Sequence, residues 1–221
     1  MDTTTQATNV AQSNFRQISE DPTFNLNNFK LDDLAIYTPA KSFDQNDSQD
    51  FKLFQVWQDD VHGILKHLIS RASISLSISM FGYADEELND IIWQKIKDPN
   101  IFVQISLDSS QAAGVGERKI LDKDKTDDLT AFNTHFTIGQ SATHQIRHTK
   151  GGVIDGKVGF EGSTNWSTGG EGTFVPSGNG SAGGVGYKAQ DNTLTVFTNP
   201  VILHAFLTTL QKQHNEGVKQ S

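Results

Sequence analysis

Residues 153–160, Val-Ile-Asp-Gly-Lys-Val-Gly-Phe, constrain this chain more than any other stretch. Two short apolar runs flank Asp155-Gly156, a pair that favours a two-residue turn between antiparallel strands because both turn residues must take positive φ. Upstream, His148 and Lys150 stand two apart on an extended segment, so their side chains share one face. Downstream, Ser163 and Asn165 repeat that spacing. A hairpin returns its two ends to the same place, so an imidazole, an ammonium, a hydroxyl and an amide can converge there. Such a set suits an anion with several acceptor oxygens, above all a phosphate. Asp155 lies at the turn, away from the convergence, and is expected to hold the turn or pair with a nearby cation.

A phosphodiester resists attack because its negative charge repels nucleophiles, so a site must first neutralise that charge. The sequence shows no carboxylate-rich cluster suited to Mg²⁺ and no Cys/His set for zinc. Lys150 and Asn165 would instead stabilise the pentacovalent transition state through fixed donors. His148 would be the nucleophile, forming a phosphohistidine that water later hydrolyses. Protonating the leaving oxygen requires a second imidazole. Among His62, His67, His135, His144, His204 and His214, none is followed two residues later by Lys, so the chain carries one copy of the pattern.

From His148 to Asn165 the full pattern is H-x-K-x4-D-x6-G-S-x-N, with Asp155, Gly162 and Ser163 at the remaining fixed positions. It resembles the phospholipase D superfamily of HKD-motif phosphodiesterases, most of all its single-motif bacterial endonucleases. The resemblance implies an α/β fold with a central mixed β-sheet flanked by helices on both faces and one HKD half-site per chain. Catalytic roles fall to His148, Lys150, Ser163 and Asn165, and structural ones to Asp155 and Gly162, with no metal and no other cofactor. Single-motif members pair as homodimers, so His148 of a second copy would serve as the general acid across a two-fold axis. Single-motif nucleases also place a Glu-Asn pair at the start of a later strand, its carboxylate orienting the histidine. Here the position reads Asp191-Asn192, one methylene shorter and further from Asn165 than the nuclease pattern, and the resemblance gives Asp191 the catalytic role of orienting His148.

Along the chain, residues 1–33 form a polar arm, disordered or loosely docked, and residues 34–221 the catalytic domain. Leu34–Tyr37 is predicted as a short strand. Phe54, Trp57, Val61, Ile64, Leu65, Leu68 and Ile69 keep helical spacing, which predicts one amphipathic helix over 51–71. His62 and His67 on it are assigned surface or packing roles, no metal-ligand set accompanying them. Ser73–Met80 alternates as a strand, Asp85 caps a helix with Glu86 and Glu87 in its first turn, and Ile101–Leu107 is a second strand. The three make a βαβ unit with parallel pairing. Residues 109–132 read as a solvated helix or loop, 134–138 as a strand, and 169–186, with eight glycines, as a flexible loop. That loop is either a plain surface insertion or a lid over the site. Asn199 and Pro200 start a last helix.

The chain has 221 residues, no cysteine and a formal net charge of −8, with pI about 5.2. Disulfide and thiolate chemistry are therefore absent. No signal peptide or membrane span is apparent, which implies a cytoplasmic protein and leaves open export by a signal-independent route. Overall acidity removes one argument for nucleic-acid binding and equally argues against a surface that clings to anionic lipid. The expected function is a metal-independent endonuclease acting on DNA in preference to RNA. Such an enzyme needs a basic cleft around Lys150, drawing on Arg147, Lys157, Arg118 and Lys188. Arg147 is a substrate-binding candidate alongside Lys150 and Asn165, although an extended backbone would turn it to the opposite face. One rival is a phospholipase or cardiolipin-type hydrolase, which would need an apolar surface such as Phe174, Val175, Val185 and Tyr187. The other is an inactive binding dimer.

Overall fold

The hairpin forms, and its register sets the sheet. The computed structural model describes residues 26–172, 174–175, 186–187 and 189–220. Strands β5 (Lys150–Ile154) and β6 (Val158–Gly162) must be placed in a sheet that begins with β1 (Phe51–Gln55), β2 (Ser75–Met80), β3 (Phe102–Asp108) and β4 (Phe136–Gly139) and ends with β9 (Thr193–Phe197). β5 and β6 pair antiparallel with Ile154 opposite Val158. Asp155 (φ 54°) and Gly156 (φ 65°) both occupy the left-handed region, and Lys157 N–H donates to the Ile154 carbonyl at 2.9 Å. Positive φ at both central residues is the geometry of a type I′ turn, whose twist matches that of the strands it joins.

The Asp155 side chain then ties this turn to β2. Its carboxylate accepts from Ser73 Oγ (2.8 Å) and from the backbone N–H groups of Ser73 (3.1 Å), Ile74 (2.8 Å) and Ser75 (2.9 Å). These are the amides at the start of β2, which the sheet leaves without a strand partner. β5 consequently pairs antiparallel with β2 in a fixed register, Ile154 opposite Leu76 and Lys150 opposite Met80.

The strand order is β1-β9-β6-β5-β2-β3-β4. β2, β3 and β4 run parallel and the other neighbours antiparallel, so the sheet is mixed. Leu76, Ile78 and Met80 alternate onto one face and enter the main core with Phe54, Phe160 and Val196. Helix α1 (Val61–Ser70) adds Ile64, Leu65 and Leu68, and α2 (Glu86–Ile96) adds Leu88 and Ile92. Asp60 and Asp85 cap these helices by accepting from Gly63 N–H and Leu88 N–H. Polar stretch 109–135 folds as α3 (Ser109–Ala112), α4 (Val115–Asp127) and α5 (Leu129–His135). After β6 come α6 (Thr168–Glu171) and a two-stranded ribbon, β7 (Phe174–Val175) with β8 (Gly186–Tyr187). The opposite face of the sheet is covered by α7 (Pro200–Val218), whose Leu203 and Leu210 pack on Val153 and Phe197. Among the described residues no helix is long and apolar enough to cross a membrane.

Four expectations from the sequence need correction. Leu34–Tyr37 is the end of a 3-10 helix, Leu31–Tyr37, because Leu31, Leu34 and Ala35 point to the core at helical spacing and Asp33 accepts from Lys30 N–H. The single helix over 51–71 is a strand followed by a helix. Tertiary pairing of β1 with β9 overrides the spacing, and Asp59 and Asp60 separate the two by bonding Gln55 N–H and capping α1. Thr134 and His135 close α5 and do not begin β4. The polar arm stops short of residue 33, since Leu26 and Leu31 are buried in the main core. Residues 1–25 of that arm, and residues 173 and 176–185 of the Gly-rich segment, lie outside the described residues.

Asp155→Ala removes the acceptor for four donors on a partly exposed edge, so it is expected to cost about 1–3 kcal/mol. Urea unfolding of the two proteins measures this. A loss below about 0.5 kcal/mol, the range of an ordinary surface change, would show that the turn is held by something else.

Candidate functional site

Because Lys150 stands opposite Met80, its side chain enters the sheet on the core face and is only 4 % exposed. The ammonium bends back to donate to the His148 carbonyl at 3.0 Å and lies 5.0 Å from the centre of the Phe81 ring. Phe81 follows the last residue of β2. Its other neighbour is the His148 ring, in edge contact at 4.6 Å between centroids. Phe81 therefore holds the imidazole and the ammonium at one sheet end, the first exposed to solvent and the second sheltered. Burial lowers the Lys150 pKa, and the charge of Glu161 on the neighbouring strand opposes that fall.

The residue after Phe81 receives the second half of the motif. An isolated parallel bridge joins Tyr83 to Trp166, with Trp166 N–H donating to the Gly82 carbonyl (2.9 Å) and Ala84 N–H to the Trp166 carbonyl (2.7 Å). Asn165 thereby lies directly against Gly82, where a Cβ would fall 2.9 Å from its Cγ and 3.0 Å from its Oδ1. Only glycine leaves room for the amide. The buried Asn165 Oδ1 has no hydrogen-bond donor. Ser163, at the end of β6, is exposed, but its hydroxyl is occupied: it accepts from Thr193 N–H (3.0 Å) and donates to Asn192 Oδ1 (3.1 Å). Asn192 also donates to the Gly170 carbonyl, so one side chain joins Ser163 to the first turn after Asn165. Gly162 sits beneath Thr193, whose carbonyl a Cβ at position 162 would meet at 2.1 Å.

Other expected residues are placed elsewhere. Arg147 is 2 % exposed, and its guanidinium donates to the Gln140 carbonyl, turned away from solvent. That burial turns it away from the exposed His148 ring in the single chain. Its backbone N–H is fixed by Asp108 Oδ2, which also sets the segment leading to His148. Asp191 is exposed and makes no hydrogen bond or ion pair with the described residues; its neighbour Asn192 makes the contacts there. Lys157 lies in the turn at the far end of the hairpin, bonded to Asn27, and cannot contribute to a basic cleft around Lys150. Arg118 is exposed in the first turn of α4, while Lys188 lies outside the described residues.

Two groups near the site were hidden in stretches that read as solvated or structural. Glu117 in α4 accepts from Tyr83 N–H, and burial pushes its carboxyl up to about 7. Its position is visible in hindsight as the first of the buried set Glu117, Ile120, Leu121 and Asp124, an i, i+3, i+4, i+7 stripe with polar members. His62 is the other. Its Nδ1–H donates to Glu171 Oε2 at 2.5 Å and its Nε2–H to Glu87 Oε2 at 3.0 Å. Burial opposes a charge on this imidazole, but the hydrogen bonds to Glu171 and Glu87 outweigh it and hold the pKa at about 10. Burial pushes the fully covered Glu171 up to about 7 against the pull of His62. A surface or packing role does not describe His62.

Comparison with known proteins points one way. A family model described as cardiolipin synthase, PLD-like domain, matches residues 65–173, which span β2 to α6 and contain every motif residue. Among solved structures, the chain is similar to the phospholipase D family member Nuc from Salmonella typhimurium, at 14 % identity and a TM-score of 0.54. That match covers 76 % of this chain and 95 % of that one. It is likewise similar to NucT from Helicobacter pylori, at 17 % identity and a TM-score of 0.52, over 76 % of this chain and 96 % of the other. At these identities the likeness is one of fold. No curated protein matches the chain in sequence.

The close fit of Asn165 on Gly82 can be tested directly. Gly82→Ala is expected to displace the amide and weaken binding of inorganic phosphate roughly three- to tenfold, the value of about one hydrogen bond. An NMR titration reads the affinity and a thermal melt checks the fold. An unchanged affinity in a folded variant would show that Asn165 does not face the anion.

Proposed function

We propose that the chain, which a PLD-like family model matches over residues 65–173, is a phospholipase D superfamily member and a metal-independent phosphodiesterase, an endonuclease acting on DNA in preference to RNA. The observation that carries this reading is the gathering of His148, Lys150 and Asn165 around Phe81 and Gly82. An exposed imidazole beside a sheltered ammonium and an amide is a donor set for a phosphodiester, with charge stabilisation supplied by side chains.

In this mechanism a His148 ring nitrogen attacks phosphorus and the bond to the leaving oxygen breaks. That oxygen takes a proton from a second imidazole, for which one chain has no candidate of the same pattern. A two-fold dimer supplies it as His148 of a second copy. Water then attacks phosphorus, gives its proton to the second imidazole, and the phosphorus–nitrogen bond breaks, restoring both groups. Lys150 and Asn165 hold the non-bridging oxygens throughout. Ser163 acts through Asn192, fixing the turn that presents Asn165. Asp191 stays a candidate for orienting His148 in the assembled dimer, since it is exposed and unengaged in the single chain.

A lipid phosphodiester is the second reading, favoured by the cardiolipin synthase description of the family model. The chemistry is the same and only the approach surface differs.

Plasmid DNA, labelled RNA and cardiolipin vesicles incubated in excess EDTA separate these readings. Cleavage of DNA that survives EDTA and falls at least about a thousandfold in His148→Ala is the expected result. Cleavage of lipid alone would move the substrate to the membrane, and cleavage abolished by EDTA with the melting temperature unchanged would sink the mechanism.

The pH profile supplies an independent check on Lys150, which must be protonated to act. Its lowered pKa places the alkaline limb of kcat/KM below the ordinary lysine value of about 10.4. Glu161→Gln removes the charge that opposes the fall, so the limb should move further toward neutral. A limb that stays in place would separate Lys150 from the reaction.

A further inference from the structure

His62, Asp85 and Glu171 are brought together from the first turn of α1, the cap of α2 and the end of α6. Their facing atoms, His62 Nδ1, one Asp85 oxygen and one Glu171 oxygen, all lie within 4.8 Å of one another. We propose that these three residues bind a divalent transition-metal cation, Zn²⁺ or Mn²⁺, which fixes the turn behind Asn165 and takes no part in the chemistry at phosphorus.

Asp85 and His62 each have one atom anchored outside the cluster and another turned to the common point, and Glu171 meets His62 there through Oε2. Asp85 Oδ1 is used by the Leu88 N–H at 2.7 Å, while Oδ2 lies 3.6 Å from His62 Nδ1. His62 Nε2–H donates to Glu87 Oε2, and Glu87 is held in turn by Lys66. A carboxylate on the far nitrogen is the usual support of a metal-bound histidine, fixing the ring and raising its basicity. Glu171 is wholly buried, and its Oε1 has no hydrogen-bond partner. A buried carboxylate with one oxygen unmet is costly, and a cation answers it as a bidentate or bridging partner.

The two separations from His62 and the donor types fit a small divalent ion. An ion with bonds of about 2.0–2.2 Å in tetrahedral array keeps its ligand atoms roughly 3.3 Å apart. The His62–Asp85 separation of 3.6 Å is already near that value. The His62–Glu171 separation of 2.5 Å is a hydrogen bond, and it opens by less than about 1 Å when the ion replaces the shared proton. One imidazole with two carboxylates suits borderline cations and disfavours Ca²⁺ and Mg²⁺, which take oxygen ligands. Three carboxylates here face Lys66 and His62, so added positive charge is welcome.

The consequence follows from sequence position. Glu171 is six residues beyond Asn165 and Asp85 is three beyond Gly82, so the ion would clamp both segments that the Tyr83–Trp166 bridge joins.

The full chain, stripped with EDTA and dialysed, is titrated with Zn²⁺ and with Mn²⁺ by calorimetry, and its melting temperature is followed. One ion per chain with a rise in Tm is expected, with Ca²⁺ and Mg²⁺ much weaker. Asp85→Asn keeps the capping oxygen and Glu171→Gln keeps the shape; each should weaken binding at least about tenfold. His144→Ala, at an exposed loop position, should leave it unchanged. No stoichiometric site, or binding indifferent to both ligand variants, would overturn the proposal and leave an adventitious ion only. Because the readouts are binding and Tm, the result stands apart from any cleavage assay.

Discussion

The register of β5 between β2 and β6 is the constraint on which the rest of the structure depends. A β-strand reverses every side chain if it slips by one residue. Such a slip would move Lys150 from the core face to the opposite face and Val153 from beneath α7 into the main core. Two devices prevent it, and both reside in Asp155. Its backbone takes the left-handed conformation that a two-residue turn requires, which fixes β5 against β6. Its carboxylate collects the first amides of β2, which fixes β5 against β2. The one residue of the motif furthest from the candidate chemistry therefore decides where the others point.

That arrangement explains why the central part of the chain was legible in the sequence. A Asp-Gly turn between apolar runs, an alternating strand over Ser75–Met80 and an Asp-capped helix each carry their own local signal, and locality is what a sequence exposes. The misread elements are those whose conformation is decided by a distant partner. β1 is an edge strand made by pairing with β9 about 140 residues later, and its apolar spacing fits a helix as well as a strand. His62 and Glu171, 109 residues apart, meet through the docking of α1 against the turn after β6. Glu117 was read as solvated because charge usually faces water, yet it is needed inside to receive the Tyr83 amide.

The candidate site was legible as a set of residues and not as an arrangement. Spacing alone places His148 beside Lys150 and Ser163 beside Asn165. It does not show that Phe81 and Gly82, which belong to no motif, are the surfaces on which both pairs close. Nor does it separate Arg147, one residue from His148, into a buried role: alternation along an extended chain sends neighbours to opposite sides, and that side is packed. Asp191 and Asn192 divide in the same way, with Asn192 turned toward Ser163 and Asp191 toward solvent.

On the proposed reading, an acidic protein acting on a polyanion must localise its positive charge. Lys157 is spent at the far end of the hairpin, Arg147 is buried, and Lys97, Lys119 and Lys123 are paired with carboxylates on the helical side. Lys150 is a cation at the His148 end of β5, sheltered so that its field is less screened by water than a surface lysine's. A dimer that joined two such ends would double this charge and pair the two imidazoles in one step. The acidity of the chain as a whole counts against diffuse attraction to nucleic acid, so the proposed substrate would be recognised by close contact, through shape and hydrogen bonding.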